Sequence, residues 1–439
     1  MIKLTNIEIE NFKCFQNTQL EFGDITLLTG ANSSGKSSIL HSILISLQSS
    51  LFPFELSFNG NKVNLGDFEN TVHKHLKNKP IKLVFSFEHD NSTTLVSSIW
   101  NQEPVRKIPS LLELKVSSDY YDLEVKRLGK YHIKIDYDSE KDINETKLNP
   151  DIQAAIKQLT SLIINEAEQN WQLETPDSQI EVDVDNIEEL FKSLPNFYHW
   201  RILNQVISKF KSFNESSNFI SSFRVQPERT YYDKSASNIK IRRDGSNFIE
   251  QIVQWESNKS REFTALIDIM KSLNLIDDLK IVRFSGGRFE LNVKTSKNSV
   301  NSSLNDVGFG ISQLLPIIVA DLQLGEGSTL VVAQPEIHLH PSVQALFADY
   351  IVNQSLKDNK RYILETHSEY IIHRLRLRIS KNDISESHVK TYYFQKHMDN
   401  SKTYEIKLKK NGSILDAPKE FFETYMLDVM NIALYSDDD

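Results

Sequence analysis

A short stretch near the N-terminus has the residue types and the spacing of a loop that binds phosphate groups. It reads Gly30-Ala31-Asn32-Ser33-Ser34-Gly35-Lys36-Ser37 and follows the apolar run Ile25-Thr26-Leu27-Leu28. This is the pattern G-x-x-x-x-G-K-S/T between a strand and a helix. The two glycines let backbone N–H groups turn towards one anion, and the helix would point its positive end there. The stretch predicts a nucleotide site, and the alternative is a Ser/Gly turn that only caps a helix.

The side chains of this loop have distinct expected tasks. Lys36 would reach the β- and γ-phosphates of ATP, and the Ser37 hydroxyl would occupy one coordination position on Mg²⁺. Ser37 is therefore the predicted metal ligand. The other nucleotide contacts predicted in this loop come from Asn32, Ser33, Ser34, Gly35 and Ser38.

Three stretches in the second half carry further polar groups. Residues 306–313 form a glycine-bearing loop that enters an apolar helix, whose N-terminus could hold a phosphate. The apolar strand at 330–333 ends at Gln334-Pro335-Glu336, and a strand at 362–364 ends at Glu365-Thr366-His367-Ser368. Polar residues at the carboxyl end of a strand lie where an α/β sheet places its site.

Composition limits the class of protein. The chain has 439 residues, of which 39% are hydrophobic and 25% are charged, as in soluble globular proteins with two or three structural units. No apolar run approaches the length of a membrane span, so we expect a cytoplasmic protein without membrane contact. The single cysteine, Cys14, excludes an internal disulfide and a cysteine-based metal site.

The charge of the chain argues against bulk binding of nucleic acid. The net charge is −9, so any contact with DNA would need a local basic patch. The best candidate is formed by Arg374, Arg376 and Arg378. A solvated helix face explains these arginines better than a DNA site does.

The order of patterns predicts an α/β protein in four parts. Residues 1–80 would form an N-terminal lobe with the phosphate loop, and residues 81–220 a β-rich segment followed by a helical insertion. Residues 221–425 would form a C-terminal lobe, and residues 426–439 an acidic tail.

The motifs in this order resemble the ABC-type ATPases of the RecF, SMC and OLD class. The strand Ile9-Glu10-Asn11-Phe12-Lys13-Cys14-Phe15 is also similar to the "xNFKxF" strand that precedes the phosphate loop in that class. The stretches at 306–316 and 334–341 look like a bacterial subfamily of compact AAA-family ATPases with a C-terminus of unknown function. Many members of the broader class sit in antiphage defence loci beside a nuclease, as in Septu-type or PARIS-type systems.

This resemblance implies an ABC-type P-loop ATPase head with an antiparallel β subdomain and a helical insertion. Two heads would enclose two molecules of ATP and Mg²⁺, so a homodimer or higher oligomer is expected. The loop of the partner chain would contact the γ-phosphate through its signature residues, which correspond here to Gly308, Gly310, Ser312 and Gln313. His367 would be the switch histidine that senses the γ-phosphate, although it could also be a core or capping histidine.

Two positions depart from the family pattern. The strand at 330–333 should end in an acid that holds Mg²⁺ through water, but Ala333 stands there, and Gln334 stands where a catalytic glutamate is frequent. A methyl group neither coordinates a metal nor orients a water, so hydrolysis should be impaired. Glu336 is a possible substitute, and an engineered change at 333 is an alternative explanation. The expected catalytic residues are thus Gln334, Glu336 and His367.

Three functions fit these residues to different degrees. The first is an ATP-dependent switch that dimerises head to head and controls a separate effector, expected to be a nuclease in antiphage defence. The second is a nucleotide-held scaffold or DNA-end clamp with little turnover, which Ala333 and Gln334 favour. A small-molecule kinase is the third, and the loop at 308–313 argues against it.

Overall fold

The computed structural model describes most of the chain. The described residues are 1–90, 92–128, 130–137, 179–182, 197–232, 240–398, 400–418, 421 and 434. The chain forms two compact units that are interleaved along the sequence. One contains Met1, Cys14–Leu40 and Phe213–Asp439, and the other contains Ile2–Lys13 and His41–Ser212. The parts predicted to end at residues 80, 220 and 425 stay a prediction.

The secondary structure alternates strands and helices in the outer thirds of the chain. The strands within the described ranges are β1 (Lys3–Phe12), β2 (Phe15–Glu21), β3 (Ile25–Gly30), β4 (Ile81–His89), β5 (Ser92–Gln102), β6 (Pro109–Ser118), β7 (Tyr121–Leu128), β8 (Lys130–Tyr137), β9 (Gln179–Val182), β10 (Ser217–Ile220), β11 (Tyr231–Tyr232), β12 (Asp278–Arg283), β13 (Arg288–Lys294), β14 (Ser302–Ser303), β15 (Thr329–Ala333), β16 (Arg361–Glu365), β17 (Val389–His397), β18 (Asn400–Glu405), β19 (Lys407–Leu408) and β20 (Ile414–Leu415). The α-helices in the same ranges are α1 (Lys36–Gln48), α2 (Phe68–Thr71), α3 (Phe197–Glu215), α4 (Phe248–Ser257), α5 (Arg261–Ser272), α6 (Phe309–Gln323), α7 (Pro341–Asp358) and α8 (Glu369–Ser380). None of these helices is long and apolar enough to cross a membrane.

The first unit is built on a six-stranded sheet in the order β10-β15-β16-β3-β17-β18. Its first five strands are parallel, and β18 returns antiparallel to β17. Every residue of β3, β15 and β16 is buried, as expected for the centre of a parallel sheet. The register places Ala333 opposite Glu365 and Glu365 opposite Leu28, so the ends of β15, β16 and β3 share one edge.

Helix α6 carries much of the core of this unit. Its side chains Leu314, Leu315, Ile317 and Ile318 are each 0% exposed. They belong to one hydrophobic cluster with residues of the sheet and of helices α4, α5, α7 and α8. A smaller antiparallel sheet in the order β11-β13-β12, to which β14 is added, belongs to the same unit.

The second unit is an antiparallel sheet in which β1 pairs with β4 and the strands β4 to β9 follow in sequence order. Its core is aromatic: Phe52 lies edge-on to Phe85 and Phe210, with ring centroids 5.6 and 4.6 Å apart. The two units confirm the predicted α/β class with an antiparallel β subdomain. Residues 138–178 and 183–196 of the predicted helical insertion, and all of the predicted acidic tail except Leu434, lie outside the described residues.

Candidate functional site

The predicted phosphate loop connects β3 to α1, and its two glycines are required by geometry. Gly30 and Gly35 have φ angles of +132° and +109°, which residues other than glycine rarely adopt. A Cβ atom on Gly30 would lie 2.2 Å from the carbonyl oxygen of Phe394, and one on Gly35 would lie 2.5 Å from the Phe15 ring. The close approach of Phe394 and Phe15 therefore requires glycine at both positions, and with it the tight turn between them.

The side chain of Lys36 folds back onto the backbone of this loop. Its amino group donates to the carbonyl oxygens of Gly30 and Ala31 at 2.8 and 2.7 Å. Burial lowers the pKa of Lys36, while the neighbouring carboxylates of Glu365 and Glu336 oppose that shift. Such a buried ammonium group needs anionic partners, so a phosphate between the loop amides and Lys36 would be well compensated.

The other loop residues present several polar groups at the same place. Asn32, Ser33 and Ser37 are exposed, whereas Ser34 is fully buried. The Ser34 hydroxyl oxygen has no hydrogen-bond partner among the described residues. A buried hydroxyl without a partner is costly, and a phosphate oxygen could satisfy it. Ser38 is only partly exposed, and its backbone N–H donates to Gly35.

The predicted metal ligand Ser37 contacts a carboxylate. Its hydroxyl donates to both carboxylate oxygens of Glu365, at 2.9 and 3.0 Å. Burial raises the pKa of Glu365, and the bond from Ser37 and the charge of Lys36 oppose this. A hydroxyl and a carboxylate are the hard oxygen donors that Mg²⁺ prefers, so these two residues fit that ion.

Glu336 lies at the same edge and is held by the end of β16. Its carboxylate accepts hydrogen bonds from the Thr366 hydroxyl at 2.9 Å and from the His367 N–H at 2.6 Å. Burial raises the pKa of Glu336, and these two bonds and the charge of Arg224 oppose that shift only in part. The structure thus brings the predicted residues Glu336 and His367 together.

Gln334 turns the chain at the end of β15. Its φ is +49°, and its N–H donates to the carbonyl oxygen of Glu365 at 2.6 Å. The Arg224 guanidinium donates to the carbonyl oxygens of Ala333 and Gln334, both at 2.8 Å. Burial lowers the pKa of Arg224 to about 10, so it stays charged at neutral pH.

The predicted His367 and two other histidines of this unit, His338 and His340, have different surroundings. Burial and the charge of Lys36 lower the pKa of the half-buried His367, which favours a neutral ring near pH 7. His340 caps helix α7 by accepting from the Ser342 N–H, and His338 lies 5.7 Å from the Phe309 ring. Among the described residues no three His, Cys, Asp or Glu side chains are grouped to hold a metal.

The glycine loop before α6 divides into an exposed and a buried part. Gly308 and Phe309 are exposed, and no atom of the described residues lies within 4 Å of a Cβ built on Gly308. Gly310 is packed against the carbonyl oxygen of His338. Ser312 and Gln313 are 1% and 5% exposed, so these two predicted contacts to a partner's nucleotide are buried within their own unit.

The arginines considered for DNA are engaged within the chain. Arg374 and Arg378 form ion pairs with Asp349 at 3.4 and 3.3 Å. Arg376 donates to the carbonyl oxygen of Gly412 at 2.8 Å. These contacts within the chain favour the predicted helix face over a DNA site.

Sequence reasoning did not assign a role to Glu365 or Arg224. Glu365 stands directly before the residues Thr366 and His367, but its neighbours in space are set by the strand register. Arg224 lies far from the motifs along the chain, in a stretch that looked like a simple turn. The signal available for both was a charged residue beside an apolar run.

Comparisons with known proteins agree with these features. Residues 2–372 match a family model described as AAA ATPase domain. The chain is 23% identical, over 398 residues, to the retron Vc95 probable ATPase of Vibrio cholerae serotype O1 biovar El Tor, with 84% of this chain and 71% of that protein covered.

Two solved structures match most of the chain, but with low TM-scores and low sequence identity. The SMC head domain from Thermotoga maritima has a TM-score of 0.41 and 10% identity, covering 92% of this chain and 100% of that one. The Smc head domain from Pyrococcus furiosus, solved with an extended coiled coil and the C-terminal domain of ScpA, has a TM-score of 0.41 and 13% identity, covering 93% and 97%. The fold assignment rests on the sheet order and the phosphate loop described above.

Proposed function

Since the chain belongs to the AAA ATPase domain family, we propose that it is an ATP-dependent switch of the ABC-type class. Two copies would close head to head on ATP and Mg²⁺ in the cytoplasm and thereby control a separate effector, with a nuclease as the expected partner. A role in bacterial antiphage defence is supported by the resemblance to defence-associated ATPases and by the relative that is named a retron ATPase.

One observation carries this proposal: the phosphate loop faces a set of side chains that could respond to the γ-phosphate. Ser37 touches Glu365 at 2.9 Å, and Glu336 holds the backbone of His367 at 2.6 Å. The loop predicted to bind the nucleotide and the polar ends of β15 and β16 therefore share one sheet edge.

ATP binding would change the hydrogen bonds of Lys36. Its amino group is close to Gly30 and Ala31 and would exchange these carbonyl oxygens for phosphate oxygens. Bound Mg²⁺ would neutralise phosphate charge. Ser37 would coordinate the ion, and Gln334 or Glu336 would orient the attacking water.

The glycine loop supports the dimeric part of the proposal. Gly308 and Phe309 are exposed at the N-terminus of α6, the end of a helix that attracts anions. Because Ser312 and Gln313 are buried, we assign the contact with a partner's γ-phosphate to the backbone around Gly308 and Gly310.

Analytical ultracentrifugation with and without ATP and Mg²⁺ tests this function. The wild type should dimerise when both are added, and Lys36→Ala should stay monomeric because it lacks the phosphate contact. Steady-state turnover is measured on the same samples. A wild type that stays monomeric under both conditions and still hydrolyses ATP would contradict the proposal.

A nucleotide-held scaffold is the second candidate, and the side chains at 333 and 334 favour it. Neither Ala333 nor Gln334 carries a carboxylate that could activate water. Retention of radiolabelled ATP after rapid desalting separates the two functions. A scaffold would keep uncleaved ATP for many minutes in the dimer, whereas a switch would release ADP and return to monomers.

A further inference from the structure

Position 333 is where the class that this chain resembles carries an acid for Mg²⁺, and its side chain here is a methyl group. Ala333 pairs with Glu365 in the register of β15 and β16, and Glu365 pairs in turn with Leu28 of β3. Strand β16 thus lies between Ala333 and the strand that leads into the phosphate loop. Because neighbouring strands are about 4.8 Å apart, Glu365 is one strand closer to the loop than any side chain at 333.

Glu365 already contacts the hydroxyl that would bind the metal. Ser37 Oγ donates to Glu365 Oε1 at 2.9 Å and to Oε2 at 3.0 Å. A serine hydroxyl has one proton and two lone pairs. Since the proton is directed to Glu365, the lone pairs remain for a cation.

The backbone holds Glu365 in this place from both sides. Its carbonyl oxygen accepts from the Gln334 N–H at 2.6 Å, and the next residue, Thr366, donates its N–H to Leu28 at 2.9 Å. Glu365 is 6% exposed, so its carboxylate has little freedom to turn towards bulk solvent. The carboxylate is therefore fixed beside the phosphate loop before any ligand binds.

We infer that Glu365 replaces the acid missing at 333 and is the positioning residue that orients Ser37, and water on the ion, towards the Mg²⁺ of bound ATP. This inference rests on the proposed function, because it concerns the metal that accompanies ATP at this loop. Mg²⁺ retains several waters and needs only one or two protein ligands beside phosphate oxygens. The Ser37 hydroxyl as protein ligand, positioned by one carboxylate, therefore suffices.

The test separates metal binding from nucleotide binding. ATP affinity is measured by calorimetry in EDTA and again with saturating Mn²⁺, and the ratio gives the enhancement by the metal. Electron paramagnetic resonance of the Mn²⁺ reports the environment of the bound ion. Loss of a residue that orients a metal ligand typically costs 10–100-fold in metal affinity, so Glu365→Gln should reduce the enhancement by about that factor and leave the affinity in EDTA within about threefold.

Three further variants serve as comparisons. Ser37→Ala should lose the enhancement to a similar extent, and Glu365→Asp, which keeps the charge on a shorter side chain, should retain an intermediate value. Glu326→Gln removes an exposed glutamate of the same unit and should behave as wild type. Thermal melting confirms that each variant is folded.

The two possible failures give different results. If Glu365→Gln keeps the Mn²⁺ enhancement and the resonance spectrum of the wild type within twofold, Glu365 does not position the metal and the inference is wrong. If the wild type binds ATP neither in EDTA nor with Mn²⁺, the proposed function is wrong as well.

Discussion

The guanidinium of Arg224 donates to the carbonyl oxygen of Gln334 at 2.8 Å and so fixes the turn at the end of β15. Gln334 has a φ of +49°, a conformation that costs a residue other than glycine about 1 kcal/mol or more. Arg224 also donates to the Gln313 carbonyl oxygen at 3.4 Å. It therefore links the strand end that carries the predicted catalytic residues to helix α6.

Replacement of Arg224 should destabilise the first unit and misplace Gln334. Arg224→Met keeps the length of the side chain but leaves buried carbonyl oxygens unsatisfied, which should lower stability by about 3 kcal/mol. ATP turnover should fall as well, because Gln334 lies in this turn and Glu336 follows it. Thermal unfolding and steady-state turnover measure the two effects. Arg229→Met, at an exposed arginine paired with Asp306, is the matched control, and equal behaviour of both variants would contradict the prediction.

A buried acidic residue gives a second prediction, which concerns stability. Asp321 is 0% exposed and contacts three side chains: it accepts hydrogen bonds from the Tyr350 and Tyr362 hydroxyls and lies 3.4 Å from the Lys360 ammonium group. Asp321→Ala leaves that ammonium group buried without its counter-charge. The variant should lose about 3–5 kcal/mol of stability, measured as a lower urea midpoint for the first unit.

A double-mutant cycle separates the ion pair from packing in this cluster. The cycle compares Asp321→Leu, Lys360→Met and the combination of these two changes, which replaces both charges by apolar groups. Because an apolar pair needs no desolvation of charges, the double variant should recover at least half of the stability that the single variant at Asp321 loses. If the two single changes instead add within about 0.5 kcal/mol, Asp321 and Lys360 are not coupled.

The phosphate loop was predictable because all of its determinants are local. Gly30 and Gly35 supply the positive φ angles, and Lys36 and Ser37 follow at fixed spacing. The antiparallel subdomain was predictable for the same reason, since strand patterns and turns are read within short windows. The structure therefore contains both the loop between β3 and α1 and the antiparallel sheet that the sequence predicts.

The position of Glu365 beside Ser37 was not predictable, because it depends on which strands are neighbours. A motif places Ala333 at the metal, but the order β15-β16-β3 puts Glu365 nearer to Ser37. The sequence likewise indicated a helix after Gly308, yet it did not show that Ser312 and Gln313 face the core. Register and packing are long-range properties that no single stretch contains.

Gly308 provides a direct test of the head-to-head dimer. A Cβ built there meets no described atom within 4 Å, and its φ of −58° suits any residue, so Gly308→Ala should fold as the wild type does. If backbone N–H groups of this loop approach the phosphate of a partner chain, the added methyl group obstructs that approach. We expect the affinity of the ATP-bound dimer to fall by about tenfold, or about 1.4 kcal/mol, in sedimentation equilibrium.

Gly325→Ala is the matched control for this prediction. A Cβ on Gly325 also has no described atom within 4 Å, but this residue follows α6 at the opposite end of the helix from Gly308. The control should dimerise with ATP as the wild type does. Equal dimer affinities for the Gly308→Ala and Gly325→Ala proteins, with unchanged melting temperatures, would show that the N-terminal end of α6 does not contact the partner.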